Sequence, residues 1–210
     1  MRLISKHKKK LLFVIGLALI VLAVIRLFDF YADYEKERAR WDGLKDAIIA
    51  QAEGFNGRAY VVIKDYNRNW RIDIDPGVQV PAASIIKLPI MGAVFSEQEV
   101  GRLSVSDKIK LRQKDKIGGS GILKNQRSGK EYNIKEIIEL MMTISDNTAT
   151  NILINLIGFE RLNAWFKGNG LKGTYLSRLM MDMASRDKGI ENYTTAEDIA
   201  LVLDLSLIHI

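Results

Sequence analysis

The chain has 210 residues, of which 48% are hydrophobic and 27% charged, which is room for one globular domain and excludes wholesale disorder. It contains no cysteine and only two histidines, His7 and His209, so disulfides, thiolate chemistry, a histidine-rich metal centre and a Ser-His-Asp triad are all excluded or strongly disfavoured. The net charge of +6 is a property of one end: without residues 1–10 the remainder carries 26 basic and 25 acidic residues, so the body offers no electrostatic footprint for nucleic acid.

In chain order, the first element is a membrane segment. Arg2, Lys6, Lys8, Lys9 and Lys10 precede an uncharged, nearly all apolar run at 11–25, flanked by Lys10 and Arg26. Extended to residue 28 it measures about 27 Å as a helix, a marginal but adequate bilayer span. The lysines place the N-terminus in the cytoplasm and the rest outside. A small-x-small cleavage pattern is missing after the run, so an uncleaved anchor is favoured over a removed signal peptide. This divides the chain into a basic tail at 1–10, a transmembrane anchor at 11–28, a juxtamembrane helix at 29–43 and a domain at 44–210.

Trp41, Leu44 and Ile48 recur at helical spacing up to a stop at Gly54. Residues 60–65 and 70–74 read as a hairpin, followed by an Asp75-Pro76-Gly77 turn. Residues 84–95 are apolar enough for a buried helix, 108–111 for a short strand, and Gly118-Gly119-Ser120-Gly121 reads as a flexible loop. Helices are predicted at 134–142, 148–157 and 159–166. Thr195 and Asp198 have the spacing of a capping box, opening a last helix to 205.

Without histidine or cysteine, a serine can still be activated by lysine. Ser-x-x-Lys on a helix sets hydroxyl and amine one turn apart on one face, provided the amine is desolvated enough to be neutral. The pattern occurs three times, as Ser5/Lys8, Ser84/Lys87 and Ser185/Lys188. Only Ser84 leads an apolar helix that could bury its lysine; the plain alternative is a helix-start serine with a snorkelling lysine. Ser145-Asp146-Asn147 precedes another apolar-periodic run, and by physics alone these are capping residues. Taken together, the two elements could bring a serine-lysine pair, a second hydroxyl and an amide into one cleft.

The segment Pro81-Ala82-Ala83-Ser84-Ile85-Ile86-Lys87-Leu88-Pro89 resembles the nucleophile segment of class A β-lactamases and related penicillin-recognising serine enzymes. Ser145-Asp146-Asn147-Thr148-Ala149-Thr150-Asn151 resembles their second motif. Gly119-Ser120-Gly121-Ile122-Leu123 is similar to the loop before it, Thr174, Leu176 and Arg178 to the entry of their Ω-loop, and Asn192-Tyr193-Thr194-Thr195 to the start of the next helix. The likeness runs from about residue 44 to 203. It implies an α+β fold, an α/β sandwich with an all-α subdomain. It implies that Ser84 is acylated by a β-lactam and that its N–H forms half of an oxyanion hole. Lys87 would accept or relay the proton, Ser145 would protonate the departing nitrogen, and Asn147 would hold the substrate's side-chain amide beside Gly119 and Ser120. Asp146 would stabilise the loop. No cofactor and no metal are implied; the partners are a β-lactam or cell-wall peptide substrate and the membrane, with the protein a monomer and a role in β-lactam resistance.

Two departures qualify the resemblance. Where the class A pattern has a glutamate two positions after the Ω-loop arginine, this chain has Met180. Asp182 is the nearest carboxylate that could replace it as deacylating base; otherwise it is a solvated acid or pairs with Arg178 or Arg186. The family's later Lys-Thr/Ser-Gly strand is absent, Lys172-Gly173-Thr174 having the wrong order and place. The hairpin would then be the only part of the family sheet present, and the expectation is an incomplete catalytic domain, truncated or frameshifted after residue 205. An in-frame Lys-Thr-Gly in the downstream gene would support this, and an authenticated stop after residue 210 would refute it. Three functions remain open on the sequence. They are a β-lactamase-like hydrolase, a slowly deacylating penicillin-binding protein or D,D-peptidase-like acyltransferase, and a non-catalytic membrane-anchored binding or sensor domain.

Overall fold

The computed structural model describes residues 2–208; His209 and Ile210, part of the atypical C-terminal end, lie outside the described residues. The chain divides into two compact units, Met1–Arg58 and Ala59–Ile210.

The first unit is one helix, α1, Arg2–Glu53. It is long and apolar enough to cross a membrane, a form shared by anchors and signal sequences. From Leu11 to Tyr31 its large apolar side chains are exposed.

The second unit mixes short strands and helices. Strands β1 (Val61–Asp65) and β2 (Trp70–Ile74) form an antiparallel hairpin in which Ile63 faces Ile72. Strand β3 (Val80–Pro81) leads into a 3-10 turn, Ala83–Ile86, and then helix α2, Lys87–Glu99. Strands β4 (Lys108–Lys110) and β5 (Glu131–Asn133) pair, followed by helices α3 (Ile134–Thr143), α4 (Asn147–Ile157) and α5 (Phe159–Gly168). A short helix α6 (Met183–Asp187) and strand β6 (Tyr193–Thr194), paired with β3, precede α7, Ala196–Ile208. The described strands therefore form three two-stranded sheets.

Helix α2 is the centre. It packs against α3, α4, α5 and α7, and Ile86, Ile90, Ala93 and Val94 are buried among Leu153, Ile154, Leu162 and Phe166. Pro89 is tolerated because it lies in the helix's first turn, where its missing N–H has no intrahelical partner to lose. Gly92 lets Trp165 of α5 lie against the helix: an added methyl would meet the indole at 2.6 Å. The hairpin is tied to α7 by polar contacts, Lys64 and Tyr66 with Asp204 and Arg71 with Glu197.

The predicted elements recur with shifted edges. The helix expected at 84–95 begins as a 3-10 turn, with Ala83 at φ +44, and becomes α-helical at Lys87. The capping box at Thr195/Asp198 is half formed: Asp198 N donates to Thr195 Oγ1 at 3.0 Å, but the Asp198 carboxylate accepts instead from Gly173 N and Thr174 Oγ1. Strands β5 and β6 and helix α6 lie in stretches too short and polar to show a hydrophobic period.

Candidate active site

The 3-10 turn presents Ser84 and the first turn of α2 presents Lys87. On the facing side, Asn133 and Glu136 close a reciprocal capping box that starts α3, and Ile144 caps its C-terminal end, so Ser145 stands in the turn before α4. Asp146 is the N-cap of α4, accepting from Ala149 N at 2.9 Å. Its second oxygen takes Ile122 N at 2.7 Å and Leu123 N at 2.9 Å, which anchors the glycine loop to the same residue. The carboxylate is fully buried with three N–H donors, so Asp146 acts on the structure of the site.

The predicted residues converge. Lys87 Nζ donates to Ser145 Oγ at 2.7 Å, to the Ser145 carbonyl at 2.6 Å and to Asn147 Oδ1 at 3.1 Å. Ser145 Oγ donates to Ser84 Oγ at 3.1 Å. Lys87 is buried, and desolvation pushes its amine below the ordinary lysine range, against a smaller opposing pull from Asp146. Three acceptors around one nitrogen satisfy an ammonium; a neutral amine in the same place would instead accept a proton through Ser145. A cleft of about 370 Å³ opens onto Ser84, Lys87 and Ser145, walled by Leu88, Met141 and Met142.

The glycine loop supplies the rim. Asn147 Nδ2 donates to the Gly118 carbonyl at 3.3 Å and Asn147 N to the Ser120 carbonyl at 3.1 Å. Gly119 has φ +79, and a methyl there would come within 2.5 Å of Asn147 Nδ2. Gly121 has φ +106, and a methyl there would overlap the Asp146 carboxylate at 2.1 Å. These glycines serve close approach and left-handed backbone, not the flexibility expected from composition.

Asp182 is placed differently from the other predicted residues. It caps α6, with Oδ1 accepting from Ser185 N at 3.0 Å and Oδ2 from Ser185 Oγ at 2.7 Å. Those bonds hold its carboxyl below the usual range. Arg178 pairs instead with Glu191, at 2.6 Å. Asn192, buried, accepts from Ser177 N and Arg178 N and donates to the Arg178 carbonyl, closing the segment between them.

Sequence reasoning missed three residues here. Asn151 clasps Met180, taking its N–H at 2.8 Å and giving a bond to its carbonyl at 3.1 Å. Glu191 is the partner of Arg178; the arginine alone did not identify it. Met181 has φ +62 and its sulfur lies over Gly119; no sequence pattern marks a methionine for a left-handed turn. Ala83, Ser145 and Met181, three of the five non-glycine residues at positive φ among the described residues, lie in or beside this cluster. Such strain concentrates at functional sites. Among the described residues, no group of three or more histidine, aspartate or glutamate side chains gathers as a metal site.

A family described as "Beta-lactamase enzyme family" matches residues 43–205. A β-lactamase of Rhodobacter capsulatus is 31% identical over 114 residues, covering 54% of this chain and 39% of the relative. The β-lactamase VEB-1 of Pseudomonas aeruginosa is 31% identical over 141 residues, covering 66% of this chain and 46% of the relative. The chain thus spans less than half the length of these two relatives. Among solved structures, a β-lactamase of Sphaerobacter thermophilus superposes with a TM-score of 0.72 at 32% identity, over 80% of this chain and 63% of the other. A protein named PBP-A superposes at 0.68 with 30% identity, over 76% of this chain and 59% of the other.

Proposed function

The chain belongs to the beta-lactamase enzyme family, and we propose that it is a serine hydrolase that opens β-lactams through an acyl-enzyme on Ser84. The observation that carries this reading is the unbroken path Ser84–Ser145–Lys87, with Asn147 as the lysine's third partner. Ser84 Oγ adds to the lactam carbonyl as its proton passes through Ser145 to neutral Lys87. The carbonyl C–N bond then breaks, and Ser145 returns a proton to the leaving nitrogen. The Ser84 N–H stabilises the developing oxyanion as one of its donors. Asn147, with Gly119 and Ser120 at the rim, holds the substrate's side-chain amide. The apolar part of α1 anchors the protein in the cell membrane with the N-terminus cytoplasmic and the catalytic unit outside. A monomer that turns β-lactams over there would protect its host against them.

A second reading, a penicillin-binding acyltransferase acting on cell-wall peptides, is favoured by two observations. Methionine stands where the class A pattern has its deacylating glutamate, and Ser185 engages both oxygens of Asp182. Formation of the acyl-enzyme needs neither residue; its hydrolysis needs a base for water.

Both readings are tested by intact mass spectrometry of the full chain in detergent, mixed with benzylpenicillin over a time course, with Ser84→Ala as control. An adduct of one penicillin that requires Ser84 is expected. Rapid decay makes it a lactamase, and persistence a penicillin-binding protein. No adduct and no loss of benzylpenicillin on folded protein refutes both and leaves a binding or sensor domain.

A further inference from the structure

Met181 combines strain, position and exposure. Its φ of +62 is a conformation that glycine or asparagine adopts cheaply and a long side chain does not. The surroundings impose it. Asn151 clasps the backbone of Met180 on one side, and on the other the Met181 carbonyl accepts from Met183 N at 3.0 Å. A methyl added to Gly119 would meet Met181 Sδ at 3.0 Å and Asn147 Nδ2 at 2.5 Å, so thioether and carboxamide lie side by side over one α-carbon. The methionine is nevertheless 40% exposed, leaving part of its surface for a bound molecule.

Asn147 completes the argument. Its Oδ1 is taken by Lys87, and one Nδ2 hydrogen goes to the Gly118 carbonyl. The second Nδ2 hydrogen is left for a ligand's carbonyl. Whatever group that carbonyl bears is then set beside the sulfur of Met181. Lys124, the cation on the same loop, has its ammonium on the Gly119 carbonyl, so its charge is already engaged.

We propose that Met181 is a specificity-determining residue, its thioether forming an apolar wall that favours acyl donors whose side-chain amide carries an apolar, preferably aromatic, substituent. The inference rests on the proposed function, in which Asn147 holds that amide. An apolar side chain, thioether or hydrocarbon, covers part of such a substituent, and losing about one to two methylene groups' worth of that contact changes affinity by about three- to tenfold.

The test compares Ser84 acylation rates of the full chain with benzylpenicillin, which carries a phenylacetyl group, and 6-aminopenicillanic acid, which carries none. Met181→Gly and Met181→Asn both suit the backbone while removing the wall, so one still reports if the other fails to fold. The benzylpenicillin-to-6-aminopenicillanic acid rate ratio is expected to fall about three- to tenfold in both and to hold in Met181→Leu. An unchanged ratio in the glycine and asparagine variants, with adducts still forming, overturns this inference alone. An equal fall in Met181→Leu overturns the apolar-wall account. No adduct and no consumption of either penicillin by the parent protein overturns the proposed function and this inference with it.

Discussion

Ser145 stands between Lys87 and Ser84: the lysine nitrogen is 2.7 Å from the Ser145 hydroxyl, which is itself 3.1 Å from the hydroxyl of Ser84. In the proposed mechanism the amine therefore acts on Ser84 through a second hydroxyl. Ser145→Ala breaks that relay while leaving Ser84 and Lys87 in place. Acylation by benzylpenicillin should slow about 100-fold or more, the usual worth of a positioned proton-transfer group, with the adduct still on Ser84. Rapid mixing with intact-mass detection measures it. A rate within a few-fold of the parent would mean that Lys87 reaches Ser84 directly.

The pH dependence follows from the burial of Lys87. Burial disfavours its charged form, so its titration is displaced below the ordinary lysine value of about 10.4. In the proposed mechanism the base form is the active one, so acylation should rise as pH rises through the displaced pKa and level off above it. The same shift touches stability. Between the folded and unfolded pKa values the unfolded chain holds the extra proton, so stability gains with pH across that window. Acylation rates from pH 6 to 10 test the first part. A rate flat across that range would remove Lys87 as the titrating base.

Met180→Glu asks whether the missing carboxylate is what separates the two readings of function. The Met180 backbone is fixed by Asn151, so the new side chain inherits a defined position. Met180 packs partly buried on the core, so the variant should lose about 1–3 kcal/mol from burying a polar group there. The adduct on Ser84 should nonetheless decay faster, by about tenfold or more, because water gains a base. Chase of a preformed benzylpenicillin adduct gives the rate. An unchanged lifetime would place the limit on deacylation elsewhere.

How much of this was legible before the fold is best seen residue by residue. Ser84, Lys87, Ser145 and Asn147 were found because their motifs are local in sequence, and the fold then brought together two motifs 61 residues apart through the Ser145–Ser84 hydrogen bond. The long helices were legible because α3 and α4 bury one face at helical spacing. Met181 was not, because its role depends on a backbone angle and on Gly119, which reaches it only through tertiary packing. Asp182 was singled out by type and proximity in sequence. Its engagement by Ser185 depends on α6, a five-residue helix whose sequence carries no period. Glu191 was invisible for the same reason: its pairing with Arg178 is set by how the loop closes on Asn192.

That closure makes the loop sensitive to acid. The Arg178 guanidinium holds the Glu191 carboxyl below the usual range, and both side chains are largely buried. A carboxylate with a depressed folded pKa contributes stability that is fully present above its unfolded value, about 4.3, and is lost as pH falls through the folded value. Glu191→Gln removes the charge at every pH. It should cost about 2 kcal/mol at pH 7, the worth of a hydrogen bond to a charged group, and very little once the parent's own carboxylate is protonated. Thermal or urea unfolding of both proteins at pH 7 and pH 3 separates these terms. At pH 7 the variant should therefore be the less stable of the two. Convergence of the two stabilities at low pH would tie that difference to the ion pair. A constant difference at both pH values would assign it to packing of the side chain instead.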